Sequence, residues 1–172
     1  MSFRRVLLLV CTLQLSAHAQ QRRIFDRIVA IVDHDPILLS ELHAAARPLL
    51  RIAPEDKQQQ TLRETLDRVI DAHLVRREAA KKGLKATDTE IEQAMDQIQK
   101  QAGVASRQAL LDEIERQGMT LPEYRAELEQ QILSIRLVQL SGVKTDSNEK
   151  FERARKEYME RLRKSAYIEV RL

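Results

Sequence analysis

The sequence has no tryptophan and only three tyrosines and three phenylalanines among 172 residues, so any core must be aliphatic. Such a composition suits packed helices better than a β-sandwich, whose strands draw on aromatic and β-branched residues. Cysteine occurs once, at Cys11, which excludes an intrachain disulfide. A marked excess of one charge is also lacking, with 29 Lys and Arg against 26 Asp and Glu. A protein that tracks phosphates needs a basic face, so nucleic acid is not an expected partner. No linker, low-complexity stretch or internal repeat stands out, and Gln58-Gln59-Gln60 is too short to count.

Residues 1–19 read as a signal peptide. Arg4 and Arg5 form its charged start, Val6 to Leu15 its apolar stretch, and Ala17-His18-Ala19 its small-x-small cleavage pattern. The apolar stretch is too short to span a bilayer. Cleavage after Ala19 removes Cys11, Arg4 and Arg5 and leaves residues 20–172 within one charge of neutrality, with no thiol for an oxidising compartment to act on. That length suffices for one domain with a sizeable core.

Punctuation along the chain predicts helices. Gly83, Gly103, Gly118 and Gly142 each follow a helical pattern and precede an apolar residue (Leu84, Val104, Met119, Val143), the signature of a helix closed by a left-handed glycine. Thr87 with Glu90, Thr120 with Glu123 and Asp146 with Glu149 are spaced as capping boxes; Ser106 caps a shorter helix, and Pro122 sits in a first turn. Between these marks apolar residues recur at helical spacing: Leu62, Leu66, Val69, Ile70 and Leu74; Ile91, Met95 and Ile98; Tyr124, Leu128, Ile132 and Ile135. From Gln131 to Leu140 apolar residues cover most of the circumference, which predicts a central helix or one partly open to a ligand.

Two segments break the helical rule. Ile28 to Val32 is a β-branched run ended by Asp33-His34-Asp35-Pro36, a strand followed by a turn. Tyr167 to Leu172 alternates, with Ile168, Val170 and Leu172 on one face. The simplest arrangement pairs the two ends of the chain in a small sheet on a helical body, with the helix from Ser147 to about Lys164 integral to it. The fold class is therefore mainly α, of α+β type.

Catalytic chemistry finds little support. Asp33, His34 and Asp35 are adjacent, so their side chains diverge and cannot converge on one metal ion. His43 and His73 lie on apolar helical faces without the HxxxH or HExxH spacing of a zinc site. Ser40 has no nucleophile elbow around it and, beside Glu41, reads as a helix cap. All four glycines are used as helix stops, leaving no phosphate-binding loop. Interleaved charges such as Arg76, Arg77, Glu78, Lys81 and Lys82 read as solvated helix faces. Neither metal, nucleotide nor other cofactor is expected.

The residues carry a family resemblance. Ile24 to Val32 followed by Pro36 to Leu42 resembles the opening of SurA-type periplasmic chaperones, and Leu62 to Asp71, Ala79 to Leu84, Thr87 to Ile91 and Gly118 to Tyr124 are similar to successive later parts of the same region. Where full-length members enter one or two parvulin prolyl-isomerase domains, this chain passes to Phe151 to Leu172, whose ending from Arg163 resembles the family's C-terminal helix and strand. The resemblance implies one chaperone domain over residues 20–172: an N-terminal helical region (24–142) completed by a C-terminal helix and strand (146–172). It further implies ATP-independent holding of unfolded outer-membrane or exported polypeptides in the periplasm, without isomerase activity and with no membrane span after cleavage. The alternative is a dimeric or adaptor protein with one dedicated envelope partner; a prolyl isomerase is a weaker third reading. The residues expected to contact a bound peptide are Met119, Leu121, Tyr124, Leu133 and Leu137, from the most apolar helix and its entrance.

Overall fold

The computed structural model describes residues 26–142 and 147–172. The leader read over residues 1–19, along with Ile24, Phe25, Val143 and Asp146, lies outside these residues.

A strand β1 (Ile28–Val32) turns through Asp33 and His34 into β2 (Asp35–Leu38). Six α-helices follow among the described residues: α1 (Leu39–Leu50), α2 (Gln58–Lys81), α3 (Asp88–Gln101), α4 (Arg107–Arg116), α5 (Leu121–Leu140) and α6 (Asn148–Ser165). A 3-10 turn at Glu55–Lys57 leads into α2, and β3 (Ile168–Val170) closes the order. The sheet is antiparallel in the order β2-β1-β3, with Ile31 opposite both Pro36 and Glu169. The first and last described strands thus pair side by side, and the fold is mainly α with a small sheet.

The sequence predicts no strand at Asp35–Leu38, because Asp and Pro read as turn residues. A proline is tolerated there because β2 is an edge and its missing N–H faces away from β1. Asp33 makes the tight reversal by taking the left-handed conformation, φ +55°.

The helix ends agree with the glycine pattern. Leu84 N–H reaches Ala79 O (2.9 Å), Val104 N–H reaches Gln99 O (3.1 Å) and Met119 N–H reaches Ile114 O (3.1 Å), the bonds of a left-handed glycine stop. At Gly118, φ +85°, the left-handed backbone requires glycine, and a Cβ there would also push the mobile end of the Arg51 side chain aside. Thr87 with Glu90 and Thr120 with Glu123 form complete capping boxes, and Ser106 caps α4.

Two further caps are seen. Helix α6 is capped by Ser147, whose extended backbone lets its hydroxyl accept from Lys150 N–H (3.3 Å). Ser40 lies inside the first turn of α1 and caps nothing. Asp26, preceding β1, takes that role by accepting from the Ser40 backbone N–H (3.2 Å) and hydroxyl.

Three buried clusters follow from these placements. Val29, Ala30, Val32 and Ile37 of the hairpin pack with Leu42 of α1 and Leu66, Val69, Ile70 and Leu74 of α2. Ile91, Met95, Leu110, Ile114 and Leu128 join α3, α4 and the first half of α5. Val75 and Ala79 of α2 meet Leu133 and Leu137 of α5 between them. Helix α5 is thus the central helix, and its buried face changes along its length. The expected stripe from Tyr124 through Ile132 to Ile135 holds only in the first half: Ile135 turns out to solvent, while Leu133, Leu137 and Val138 turn in.

Candidate functional site

Helices α2, α5 and α6 meet side by side and leave between them an open groove of about 450 Å³. Its apolar lining comes from Ala72 and Val75 on α2, Ile135 on α5, and Phe151 and Met159 on α6. Ile135 is a large hydrophobic side chain left 41 % exposed, so the lining is available to a second molecule.

Polar groups form the rim. Gln130, Gln131 and Ser134 follow the α5 side, Arg68 and Asp71 the α2 side, and Glu152 and Arg155 the α6 side. Three of these charges are paired within the chain, Arg155 Nη2 donating to Glu152 (2.7 Å) and Asp71 accepting from Arg163 Nε (2.6 Å), while Arg68 donates to the Thr65 hydroxyl (3.0 Å). Arg163 also donates to Asp67 (3.2 Å) and to its backbone carbonyl (2.9 Å), which ties α6 onto α2 and fixes that wall. The Gln130 Oε1 acceptor is buried without a partner among the described residues. An apolar floor with amide edges and balanced charge suits an extended polypeptide, whose side chains supply apolar surface and whose backbone supplies amides and carbonyls.

The five contact residues expected from sequence are not brought together. Leu133 and Leu137 are only 4 % and 1 % exposed, sealed against Val75 and Ala79, so in this conformation they hold the helices together and present no surface. Met119 and Tyr124 pack against the cluster of α3, α4 and α5 and are half-buried, while Leu121 is exposed at the start of α5. At 1.5 Å per residue, Leu121 and Leu137 stand about 24 Å apart along the axis. Sequence reasoning missed Phe151 and Met159, which lie in the strongly charged α6. The available signal was the interval between Phe151, Ala154, Tyr158 and Leu162, an apolar stripe hidden by its charged neighbours.

Of the two histidines read on apolar helical faces, only His73 is placed to serve structure. His73 Nε2 lies 2.8 Å from Glu41 Oε1, joining α2 to α1, and this hydrogen bond is the largest influence holding the Glu41 carboxyl below its ordinary range. His43 is exposed, and no group of residues able to hold a metal occurs among the described residues. None of the described helices is long and apolar enough to cross a membrane.

Comparison with known proteins matches residues 25–138 to the SurA N-terminal domain. The chain is 32% identical over 142 residues to the Chaperone SurA of Xanthomonas campestris pv. campestris (strain 8004), which covers 78% of this chain and 30% of that protein. It is 31% identical over 129 residues to the Chaperone SurA of Cupriavidus pinatubonensis (72% of this chain, 26% of the relative) and 27% identical over 142 residues to that of Legionella pneumophila (80% and 33%). The matched part thus spans about a third or less of the length of these curated relatives.

Proposed function

Since the chain belongs to the SurA N-terminal domain family, we propose that it is a periplasmic chaperone that holds unfolded outer-membrane or exported polypeptide without nucleotide. The observation that carries this reading is the groove between α2, α5 and α6, whose apolar lining, with Ile135 exposed, is framed by side-chain amides and charges of both signs. Binding there covers the hydrophobic face of an extended client, and affinity stays moderate because few strong anchors are offered. Residues 1–19 supply export as a cleaved leader, and residues 20–172 act as one domain. Ile135, Phe151 and Met159 form the main contact surface. Met119, Leu121 and Tyr124 provide a second apolar edge at the start of α5, and Leu133 and Leu137 support the groove from beneath.

The test is light scattering of a denatured outer-membrane β-barrel diluted into increasing amounts of the protein, with a proline-peptide isomerisation assay on the same preparation. Suppressed aggregation without isomerisation is the expected result. Ile135→Glu and Phe151→Ser should each weaken suppression at least ~fivefold, the scale of losing one buried apolar contact of about 1 kcal/mol. Absence of suppression by the unmodified protein defeats the holding role, and catalysed isomerisation defeats the non-enzymatic one.

A further inference from the structure

The sheet has two edges, β2 with its proline and β3, and the β3 edge is complementary to itself. Strand β3 pairs with β1 through bonds from Arg171 N–H to Val29 O (2.8 Å) and from Asp33 N–H to Tyr167 O (2.7 Å). Residues 167 and 171 therefore turn their backbone groups toward β1, and with the register Ile31 to Glu169 so does residue 169. By alternation, the N–H and C=O groups of Ile168 and Val170 face the other way, with no partner among the described residues.

The side chains divide as sharply. Tyr167, Glu169 and Arg171 share one face, where Glu169 accepts from the Tyr167 hydroxyl (3.0 Å) and from Arg171 Nε (2.8 Å). Val170 and Leu172 lie on the face toward α2, beside a hollow lined by Leu66 and Ile70 with Arg63 and Asp67 at its lips. Both remain open to solvent, Val170 at 56 % and Leu172 at 43 %. Edge strands in monomers are usually blunted by shortness, charge, proline or a bulge; β3 is short, three residues, but carries neither proline nor bulge. The charged side chains of residues 167–172 are one acid, Glu169, and one base, Arg171, two residues apart.

We propose that β3 pairs with β3 of a second copy of this chain, antiparallel across a two-fold axis at Val170. The outward backbone groups select a centre on an even residue, so Val170 exchanges two hydrogen bonds with its own counterpart and Ile168 stands opposite Leu172 of the other copy. The intervening pair then sets Glu169 of one copy against Arg171 of the other, twice. The occupant is a second copy because the strand's opposite charges complement themselves in this register, whereas a two-fold at Glu169 would set like charges together on backbone groups already used by β1. Two three-stranded sheets become one of six, with the two α2 hollows side by side across an isologous contact. The inference rests on the sheet edge alone and is independent of the groove.

Sedimentation of the purified protein over a concentration series tests it. The unmodified chain should show a monomer–dimer equilibrium, and Glu169→Arg and Arg171→Glu should each weaken it at least ~tenfold by setting like charges across the axis. An equimolar mixture of those two variants should re-associate, because each supplies the charge the other needs, and loss of folding cannot produce that recovery. Val170→Pro removes an outward-facing N–H that β1 does not use and should also yield monomers, with thermal unfolding read in parallel to show that β3 stays in the sheet. A chain that stays monomeric at the highest concentrations overturns the proposal, as do variants that dimerise unchanged or a mixture that fails to recover. A monomer that instead takes up an alternating synthetic strand peptide on β3 assigns the edge to a foreign strand and equally refutes self-pairing.

Discussion

Asp33 shows how much one side chain can organise. Its left-handed backbone reverses β1 into β2, its Oδ1 accepts from the Tyr167 N–H at 2.9 Å, and its Oδ2 pairs with Arg77 of α2. Asp33→Ala should cost about 2–3 kcal/mol, adding the strain of a left-handed alanine to a lost hydrogen bond and ion pair, while Asp33→Asn should cost about 1 kcal/mol. Urea midpoints of the two variants measure this difference. Acid sensitivity also resides in single carboxylates. Glu41 is held below its ordinary value of 4.5, chiefly by the hydrogen bond to His73. A depressed carboxylate contributes its full stability above that ordinary value and loses it as pH falls through the lowered one. Glu41→Gln should therefore flatten the decline in urea midpoint below about pH 4.5 while leaving a lower plateau at neutral pH. Glu90 and Glu123 are lowered mainly by the Thr87 and Thr120 backbone N–H groups they accept from, so part of the acid loss should persist in that variant.

Elements were legible in sequence where local chemistry alone decides them. A left-handed glycine, a reciprocal Thr and Glu cap or a β-branched run acts within four or five residues, and Gly83, Thr87, Thr120 and Ile28 to Val32 do what their neighbours require. Strand β2 escaped because Pro36 reads as punctuation until an edge position makes its missing N–H harmless. The inward face of α5 escaped for another reason. Its first half answers to α3 and α4 and its second to α2 and α6, so no single stripe describes both halves. The consequence is measurable with three substitutions. Leu137→Ala should destabilise by about 2–5 kcal/mol, Leu133→Glu should abolish cooperative unfolding in far-UV CD, and Ile135→Glu should stay within about 0.5 kcal/mol of the parent. If Ile135→Glu proves as damaging as Leu137→Ala, the rotation assigned to α5 is in error.

Across the whole molecule, the groove could not be read from sequence because its walls come from residues 68–75, 130–135 and 151–159, and only the fold makes them neighbours. The ion pairs that hold those walls are equally distant: Arg163 reaches back 92 residues to Asp71, and Arg125 and Arg136 of α5 reach Glu92 and Glu90 of α3. Pairing between the ends of the chain was legible, because two strand-like segments in an otherwise helical sequence have only each other. That pairing also imposes a timetable. Strand β1 is the middle of the sheet, flanked by a neighbour made immediately after it and another made more than 130 residues later. A ribosome, which delivers the N-terminus first, releases β1 with one side zipped and the other bare until residues 168–170 emerge. During that interval the newborn chain carries the same kind of exposed strand edge that aggregates in other proteins, and the sheet is complete only when residues 168–170 arrive.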